Sequence, residues 1–246
     1  MRRLLVTLLV LASWPGVNAS ADTITFNGVG AGIGPGSATG SGSFSASYSH
    51  GTAYTYFAGQ FLVTDTSTST PTNYAAYCVD FFTPLNMQVG GQQTMSLLPI
   101  SQYGAQNAPN PASVVAGSGA KIGWLVNQAN TYHVTANEFA AAVQLAIWEV
   151  ALDTSTSNYR LTSGLFQVGS LSTHVSDTAK SLLDYLSRNS SASGAGVWFN
   201  SANGQDLVAM GDPPPAVPEP ATVVLLGVGL VGLGRALRRS KANTSK

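Results

Sequence analysis

The C-terminal end of the chain combines a proline motif, an apolar run and a basic cluster, which together exclude this end from a folded core. The motif consists of Val217, Pro218, Glu219 and Pro220. A mostly apolar run follows from about 221 to 237, and the arginines at its end are Arg235, Arg238 and Arg239. Proline stops a helix sharply, and arginine side chains can extend from an apolar segment to the lipid headgroups. We therefore expect a transmembrane helix here, with its basic end in the cytoplasm and everything before Pro218 outside.

The pattern of the N-terminal end indicates an export signal. Arg2 and Arg3 precede a short apolar run, and Ala19-Ser20-Ala21 follows as a small-residue cleavage site. The apolar run is too short to cross a bilayer. We expect cleavage after Ala21, which divides the chain into a signal peptide (1–21), an exported domain (22–212), and a Pro-rich linker with the C-terminal signal (213–246).

The formal net charge of zero hides an acidic exported part. The chain has 11 basic and 11 acidic residues. The basic residues outside the two ends are Lys121, Arg160, Lys180 and Arg188, whereas all the acidic residues lie between Asp22 and Glu219. Four positive charges against eleven negative ones leave little to neutralise phosphates, so nucleic acid is excluded as a partner.

Between the ends, the pattern predicts an α+β fold. Strands are expected within residues 22–66, at 74–82, at 196–200 and at 206–210, because these stretches are rich in β-branched and aromatic residues or alternate in polarity. Residues 85–112 hold three prolines and many amides, which predicts a long loop. Helices are expected at 116–128, 135–153 and 176–188. The expected architecture is a set of β-sandwich-like strands with an inserted helical subdomain.

The middle helix is the most clearly marked element. Thr135 and Glu138 form a capping-box pattern. An apolar stripe follows at helical spacing, formed by Phe139, Val143, Ala146, Ile147 and Val150. Gln144 lies beside this stripe, whereas Glu138 and Glu149 are expected on the polar side. A buried amide without partners costs on the order of 1–3 kcal/mol, so Gln144 needs an explanation.

Cys78, the one cysteine of the chain, needs an explanation too. An exported cysteine is usually paired, and a lone one cannot pair within its own chain. Cys78 and Gln144 could satisfy each other covalently, if the thiol attacks the carboxamide and ammonia leaves. Such an internal thioester requires a held pair of side chains, little water and donors to the oxyanion.

Two resemblances to known families agree with these readings. The Pro-Glu-Pro motif, apolar helix and arginine-rich end resemble the PEP-CTERM sorting signal. This resemblance implies processing by an exosortase-type membrane transpeptidase in Gram-negative bacteria that secrete exopolysaccharide. It also implies a protein that is exported, transiently anchored in the inner membrane, and finally placed at the cell surface or in the extracellular matrix.

The segments around Cys78 and Gln144 resemble the thioester domain of Gram-positive surface adhesins. That family pairs a Tyr-Cys segment with a later Thr-Gln-x-Ala-Ile-Trp segment. Here the matching residues are Tyr77, Cys78, Asp80, Gln144, Ala146, Ile147 and Trp148, with Val143 where the family has threonine. The resemblance implies covalent adhesion to an amine- or hydroxyl-bearing target through a Cys78–Gln144 thioester, as a single-use crosslink and not as an enzyme.

Three other interpretations remain open. Cys78 and Gln144 could be ordinary core residues of a non-covalent structural protein of the exopolysaccharide matrix. A cysteine hydrolase would need His50, His133 or His174 beside Cys78, but none has a family spacing to it. Metal binding is weaker still, because the histidines are scattered and Asp65, Asp80 and Asp153 lack a calcium-loop pattern. We therefore expect no metal and no cofactor.

Overall fold

Antiparallel strands form two sheets in the described part of the domain. The computed structural model describes residues 21–34, 45–48, 53–83, 85, 88–104, 115, 117–129, 131–153, 158–202 and 204–212. The main sheet comprises β1 (Ala21–Ile33), β4 (Ala58–Asp65), β5 (Thr72–Cys78), β6 (Gln92–Pro99), β8 (Val197–Ser201) and β9 (Leu207–Ala209). Its strand order is β1-β4-β5-β9-β8-β6, and β6 returns to β1 to close the barrel.

The closed barrel corrects the expected β-sandwich, and β6 is the reason. This strand lies within the stretch predicted as a loop, yet it pairs with β1 on one side and β8 on the other. Its outward residues are polar, such as Gln92 and Thr94, whereas Met95 and Leu97 are buried. A strand with one solvent-exposed face needs apolar residues only on its other face, so it can close the barrel with few of them.

A second, smaller sheet has the order β3-β2-β7. Its strands are β2 (Ser45–Tyr48), β3 (Tyr54–Thr55) and β7 (Phe166–Gly169). The strand β7 was not expected from the sequence. Phe166 is fully buried and its ring lies against Phe81 and Trp148, so this sheet packs beside the aromatic part of the core.

Three helices in the described part of the chain lie between β6 and β8 along the sequence, as the predicted helical insertion requires. They are α1 (Ser118–Val126), α2 (Ala136–Leu152) and α3 (Thr173–Arg188), and a short 3₁₀ turn covers Ile100–Gln102. The capping box of α2 is present, since the Thr135 side chain accepts from the Glu138 N–H and Glu138 accepts from the Thr135 N–H. Helix α3 begins earlier than predicted because Ser172 caps it.

Helix α2 is buried almost all around. It contacts β1, β4, α1 and α3, so nearly every residue from Phe139 to Leu152 lies inside the domain. Glu149 was expected on the polar side, but its side chain has 0% exposure. The prediction for Glu149 was wrong because a central helix has no solvent-exposed face, and periodicity cannot tell which polar residue is enclosed.

The predicted end segments lie outside the described residues. This holds for the signal-peptide residues up to Ser20, including Ala19, for the sorting motif, and for the predicted transmembrane helix with its arginines. Ala21, the expected last residue of the signal peptide, begins β1. Within the described ranges, no helix has the length and apolar character needed to cross a bilayer.

Candidate functional site

Cys78 is the last residue of β5 and lies where the barrel meets α2. It pairs with Leu207 of β9, and its side chain is 1% exposed. Because side chains alternate across a strand, the preceding Tyr77 faces away from the thiol. The Tyr77 hydroxyl instead accepts from the Gln60 side-chain amide, at 3.0 Å. The strand thus ends with its sulfur directed toward the helical side.

The Gln144 side chain makes two hydrogen bonds to the main chain of Cys78. Its Oε1 accepts from the Cys78 N–H at 2.9 Å, and its Nε2 donates to the Cys78 carbonyl at 2.7 Å. The pairing of β4 with β5 ends at Ala76, so the Gln144 side chain takes the place of a neighbouring strand for the N–H and C=O of Cys78. Gln144 has 0% exposure, and both ends of its amide are used.

A second glutamine, Gln205, contacts the sulfur itself. Its Nε2 lies against the Cys78 Sγ and also donates to the Asp80 carbonyl, at 3.1 Å. Its Oε1 is buried and has no hydrogen-bond partner within the described residues. The carboxamide in contact with the thiol is therefore the one whose carbonyl oxygen is still free to accept a donor.

The strand pairing explains why Gln205 reaches the thiol. In the antiparallel pair of β5 and β9, Cys78 lies opposite Leu207, and the Val79 N–H donates to the Asp206 carbonyl. One step further along, residue 205 comes opposite residue 80. The Asp206 side chain holds this turn, because it accepts from the Trp198 indole N–H at 3.1 Å and from the Ser201 N–H at 2.8 Å.

The surroundings of the thiol keep it protonated. Burial raises the pKa of Cys78 well above its ordinary value, and the Asp80 carboxylate adds to this rise. The Trp148 side chain acts in the opposite direction, toward the thiolate. The Trp148 Nε1 is buried and makes no hydrogen bond of ordinary geometry in the described chain. Its N–H is thus the donor available to a negative charge that develops on the sulfur.

A cavity of about 480 Å³ opens onto Cys78 and Gln205. Its walls are mainly aromatic, and they include Tyr56, Phe57, Phe81, Phe82 and Trp148. Among the described residues, no charged side chain lines it. The volume lies in the range of pockets that hold small molecules, so a side chain or a small ligand can reach the sulfur and the Gln205 amide together.

The other residues predicted around the site have separate places. Asp80 follows Cys78, and its main-chain carbonyl lies 3.4 Å from the sulfur, the Sγ–H being the donor. Ala146 and Ile147 are fully buried on α2 and belong to the core. Trp148 packs its ring against Phe81, with ring centroids 5.3 Å apart.

The described histidines lie away from the thiol. His133 and His174 are both exposed, and His174 contacts the Glu138 carboxylate at 3.1 Å. Neither hydrogen-bonds to Cys78 in the described part of the chain, and His50 lies outside it. The described residues also contain no group of three or more side chains suited to a metal ion.

Gln205 was not predicted from the sequence. It precedes a strand that was expected, but nothing in the local pattern Gly204-Gln205-Asp206 distinguishes it from a surface turn. Its role depends on the pairing of β5 with β9, which joins parts of the chain more than a hundred residues apart. The one available signal was a strand-flanking amide near the end of a domain that contains a lone thiol.

Comparisons with known proteins agree with the two resemblances. A family model described as the thioester domain matches residues 75–192, and one described as the PEP-CTERM protein-sorting motif matches residues 216–239. No curated protein matches the sequence.

Three solved structures are similar at low identity. The N-terminal thioester domain of fibronectin-binding protein SfbI from Streptococcus pyogenes is 13% identical, with a TM-score of 0.41 over 74% of this chain and 97% of that one. The pilus-presented adhesin Spy0125 (Cpa) is 11% identical, with a TM-score of 0.30 over 78% of this chain and 68% of that one in one crystal form. A second crystal form gives 0.29.

The PEP-CTERM motif implies an exported protein that exosortase processes and sorts to the cell surface. The chain therefore carries a thioester domain followed by a PEP-CTERM sorting motif.

Proposed function

We propose that this protein is a surface or matrix adhesin that attaches covalently to amine or hydroxyl groups through an internal thioester on Cys78. The observation that carries the proposal is the contact between a buried thiol and a side-chain carboxamide in a site with little access to water. A thioester is stable while it is shielded and reacts when a nucleophile enters. The aromatic cavity at the sulfur provides the entrance.

The bond forms by exchange of a thiol for ammonia. The sulfur attacks the carboxamide carbon, the C–N bond breaks, and the thiol proton leaves with the nitrogen as ammonia. Holding both groups in contact replaces a bimolecular encounter by an intramolecular one, which is worth several kcal/mol of the barrier. This exchange of a thiol for ammonia needs no oxidant, metal or cofactor.

Gln205 is the better candidate for the acyl partner. Its amide nitrogen, the atom that leaves, already lies against the sulfur, and its carbonyl oxygen has no described partner. Gln144 would have to break two hydrogen bonds to the Cys78 main chain before its carbonyl carbon could approach the sulfur. We therefore assign Gln144 a positioning role, in which it fixes the end of β5. A Cys78–Gln144 thioester is the alternative arrangement.

Reaction with the target reverses the roles of the groups. An amine or hydroxyl attacks the thioester carbon, an amide or ester forms on the glutamine, and sulfur leaves as thiol after taking up the proton. The Trp148 N–H is the donor that favours negative charge on the departing sulfur. Nothing regenerates the thioester, so the protein acts once as a crosslink and does not turn over as an enzyme.

The two end segments place this chemistry outside the cell. The predicted signal peptide directs export, and the apolar C-terminal run anchors the chain in the inner membrane until the exosortase acts near Pro218-Glu219-Pro220. The target is then an amine- or hydroxyl-bearing molecule of the surface or the extracellular matrix. Replacement of the three motif residues by alanine should leave the protein unprocessed, and normal processing of this variant would contradict the sorting proposal.

Intact mass distinguishes the adhesin from the non-covalent structural protein. The freshly purified exported domain, without the two end segments, should be lighter than its own sequence by one ammonia and should add methylamine. The Cys78→Ala variant should have its full sequence mass and add nothing. A wild-type mass equal to the full sequence, together with no uptake of methylamine, would favour the structural protein of the matrix.

Fragment masses of the methylamine adduct identify the acyl partner. We expect the methylamide on Gln205, and Gln205→Ala should abolish the adduct. Gln144→Ala is the matched control, because it removes an equal side-chain amide that contacts the main chain of Cys78 and not the sulfur. A methylamide found on Gln144 would instead assign the thioester to the Cys78–Gln144 pair.

A further inference from the structure

The cavity at the sulfur has walls that select what can enter. Phe57, Phe81, Phe82 and Trp148 present rings to it, and Leu85 adds an aliphatic side chain. The side chains with polar atoms in its described lining are Tyr56, Cys78, Thr83, Trp148 and Gln205, and none of them carries a formal charge. A shielded thioester needs only a small opening, so about 480 Å³ is far more space than a bare amine or hydroxyl group would require.

The lack of charged side chains in the described lining favours one class of target over another. A protonated lysine-like group would lose its hydration there, because no carboxylate belongs to the described lining, and aromatic faces recover only part of that loss. An apolar ring gains roughly 25 cal/mol for each Å² removed from water. The cavity therefore favours a neutral nucleophile carried on an apolar or aromatic group.

One edge of the cavity is open to solvent. Phe82 is 39% exposed although it is a large apolar residue, and its N–H donates to the Asp80 carboxylate at 3.1 Å. This bond holds the main chain of Phe82 against the Asp80 side chain. Phe82 thus lies at the entrance, where an arriving apolar group would meet it first.

We infer that the target group is an amine or hydroxyl borne on an aromatic or other compact apolar group, which occupies the cavity beside Cys78 and Gln205 before it reacts. This inference rests on the proposed thioester function, but the binding step does not require the thioester. The cavity supplies the selectivity and the thioester supplies the bond. The product is the amide or ester of Gln205, with the Cys78 thiol released.

The reaction arm of the test compares benzylamine with methylamine on the full-length chain. Rates of adduct formation are taken per unit of free base and divided by the rates with a small thioester in solution. Burial of the ring predicts a preference for benzylamine of about tenfold or more. Phe82→Ala should reduce this preference severalfold, whereas Met210→Ala, also exposed but outside the cavity, should leave it unchanged.

The binding arm uses Cys78→Ala, which cannot form a thioester. Benzyl alcohol should bind to it saturably and shift the NMR signal of the Trp148 indole, and methanol at equal concentration should not. Equal corrected rates for the two amines, or no saturable binding of benzyl alcohol, would overturn the inference while the thioester stands. A wild-type chain whose intact mass shows no loss of ammonia would instead overturn the proposed function, and with it the covalent part of this inference.

Discussion

Gln144 and Glu149 are both fully buried on α2, yet their surroundings satisfy them differently. The Gln144 amide donates to and accepts from the main chain of Cys78, so no polar atom of its side chain is left over. Glu149 accepts from the Arg160 N–H at 2.6 Å through Oε1, but its Oε2 has no hydrogen-bond partner within the described residues. Burial raises the pKa of Glu149 to about 8, and the nearby Asp153 carboxylate adds to the rise.

The difference follows from what the two side chains can offer. An amide has donors and an acceptor, so it can close on a main-chain N–H and C=O together, whereas an ionised carboxylate can only accept. Enclosure therefore leaves Gln144 neutral and fixed, but it drives Glu149 toward its protonated form. We expect the contact between Gln144 and the Cys78 main chain to be insensitive to pH and Glu149 to respond to it.

The largest expected effect is on the covalent reaction. Gln205→Ala should abolish the methylamine adduct, because it removes the carboxamide in contact with the sulfur. Glu149→Gln should leave the yield of adduct unchanged, since Glu149 does not contact the thiol or line the cavity. Adduct yields from intact mass measure both, and loss of the adduct in Glu149→Gln would show that the two regions are coupled.

The next largest effect is on the free energy of unfolding, through the contact between Gln144 and the Cys78 main chain. Gln144→Leu keeps the size of the side chain but leaves the Cys78 N–H and C=O without partners, which should lower the free energy of unfolding by about 2–4 kcal/mol. Gln205→Leu should lower it less, because the Gln205 carbonyl has no described partner to lose. Urea unfolding at a single pH compares them. An equal loss in both would contradict the positioning role of Gln144.

Glu149 gives a pH-dependent prediction whose sign follows from its raised pKa. The carboxyl has an ordinary pKa of 4.5 when unfolded and about 8 when folded, so its contribution to stability is present below pH 4.5 and is lost as the pH rises to 8. Glu149→Gln should therefore raise the free energy of unfolding at pH 8 by up to a few kcal/mol, and little at pH 4.5.

Urea unfolding across this pH range measures the slope. The slope that remains below pH 6 in Glu149→Gln should come from Asp206, because burial raises its pKa to about 6. A variant with the same pH dependence as the wild type would show that Glu149 makes no pH-dependent contribution to stability.

The smallest effect concerns the start of α2, which supports both regions. Thr135→Ala removes one half of the capping box and should lower the free energy of unfolding by about 1 kcal/mol. Because the cap stabilises the whole helix, the loss should be the same at pH 5 and pH 8. Chemical denaturation at both values checks this, and a loss confined to one pH would contradict it.

The local parts of this fold could be predicted from the sequence, and the parts made by long-range pairing could not. The capping box of Thr135 and Glu138 identified α2, and the approach of Gln144 to Cys78 was expected. The strand β6 was missed because its exposed residues are polar, and the closed barrel was missed with it. Gln205 was missed because only the pairing of β5 with β9 brings it to the sulfur.

The position of Gln205 just before β9 has a mechanical consequence. A target joined to Gln205, in a chain held through the segment that follows Asp212, would transmit tension along Leu207–Ala209 and into the linker. The remaining strands and all three described helices would lie outside this line of force. Load would peel one short strand from between β5 and β8, and the rest of the barrel would stay unstretched. A Gln144 crosslink would instead pull through α3 and β8 as well.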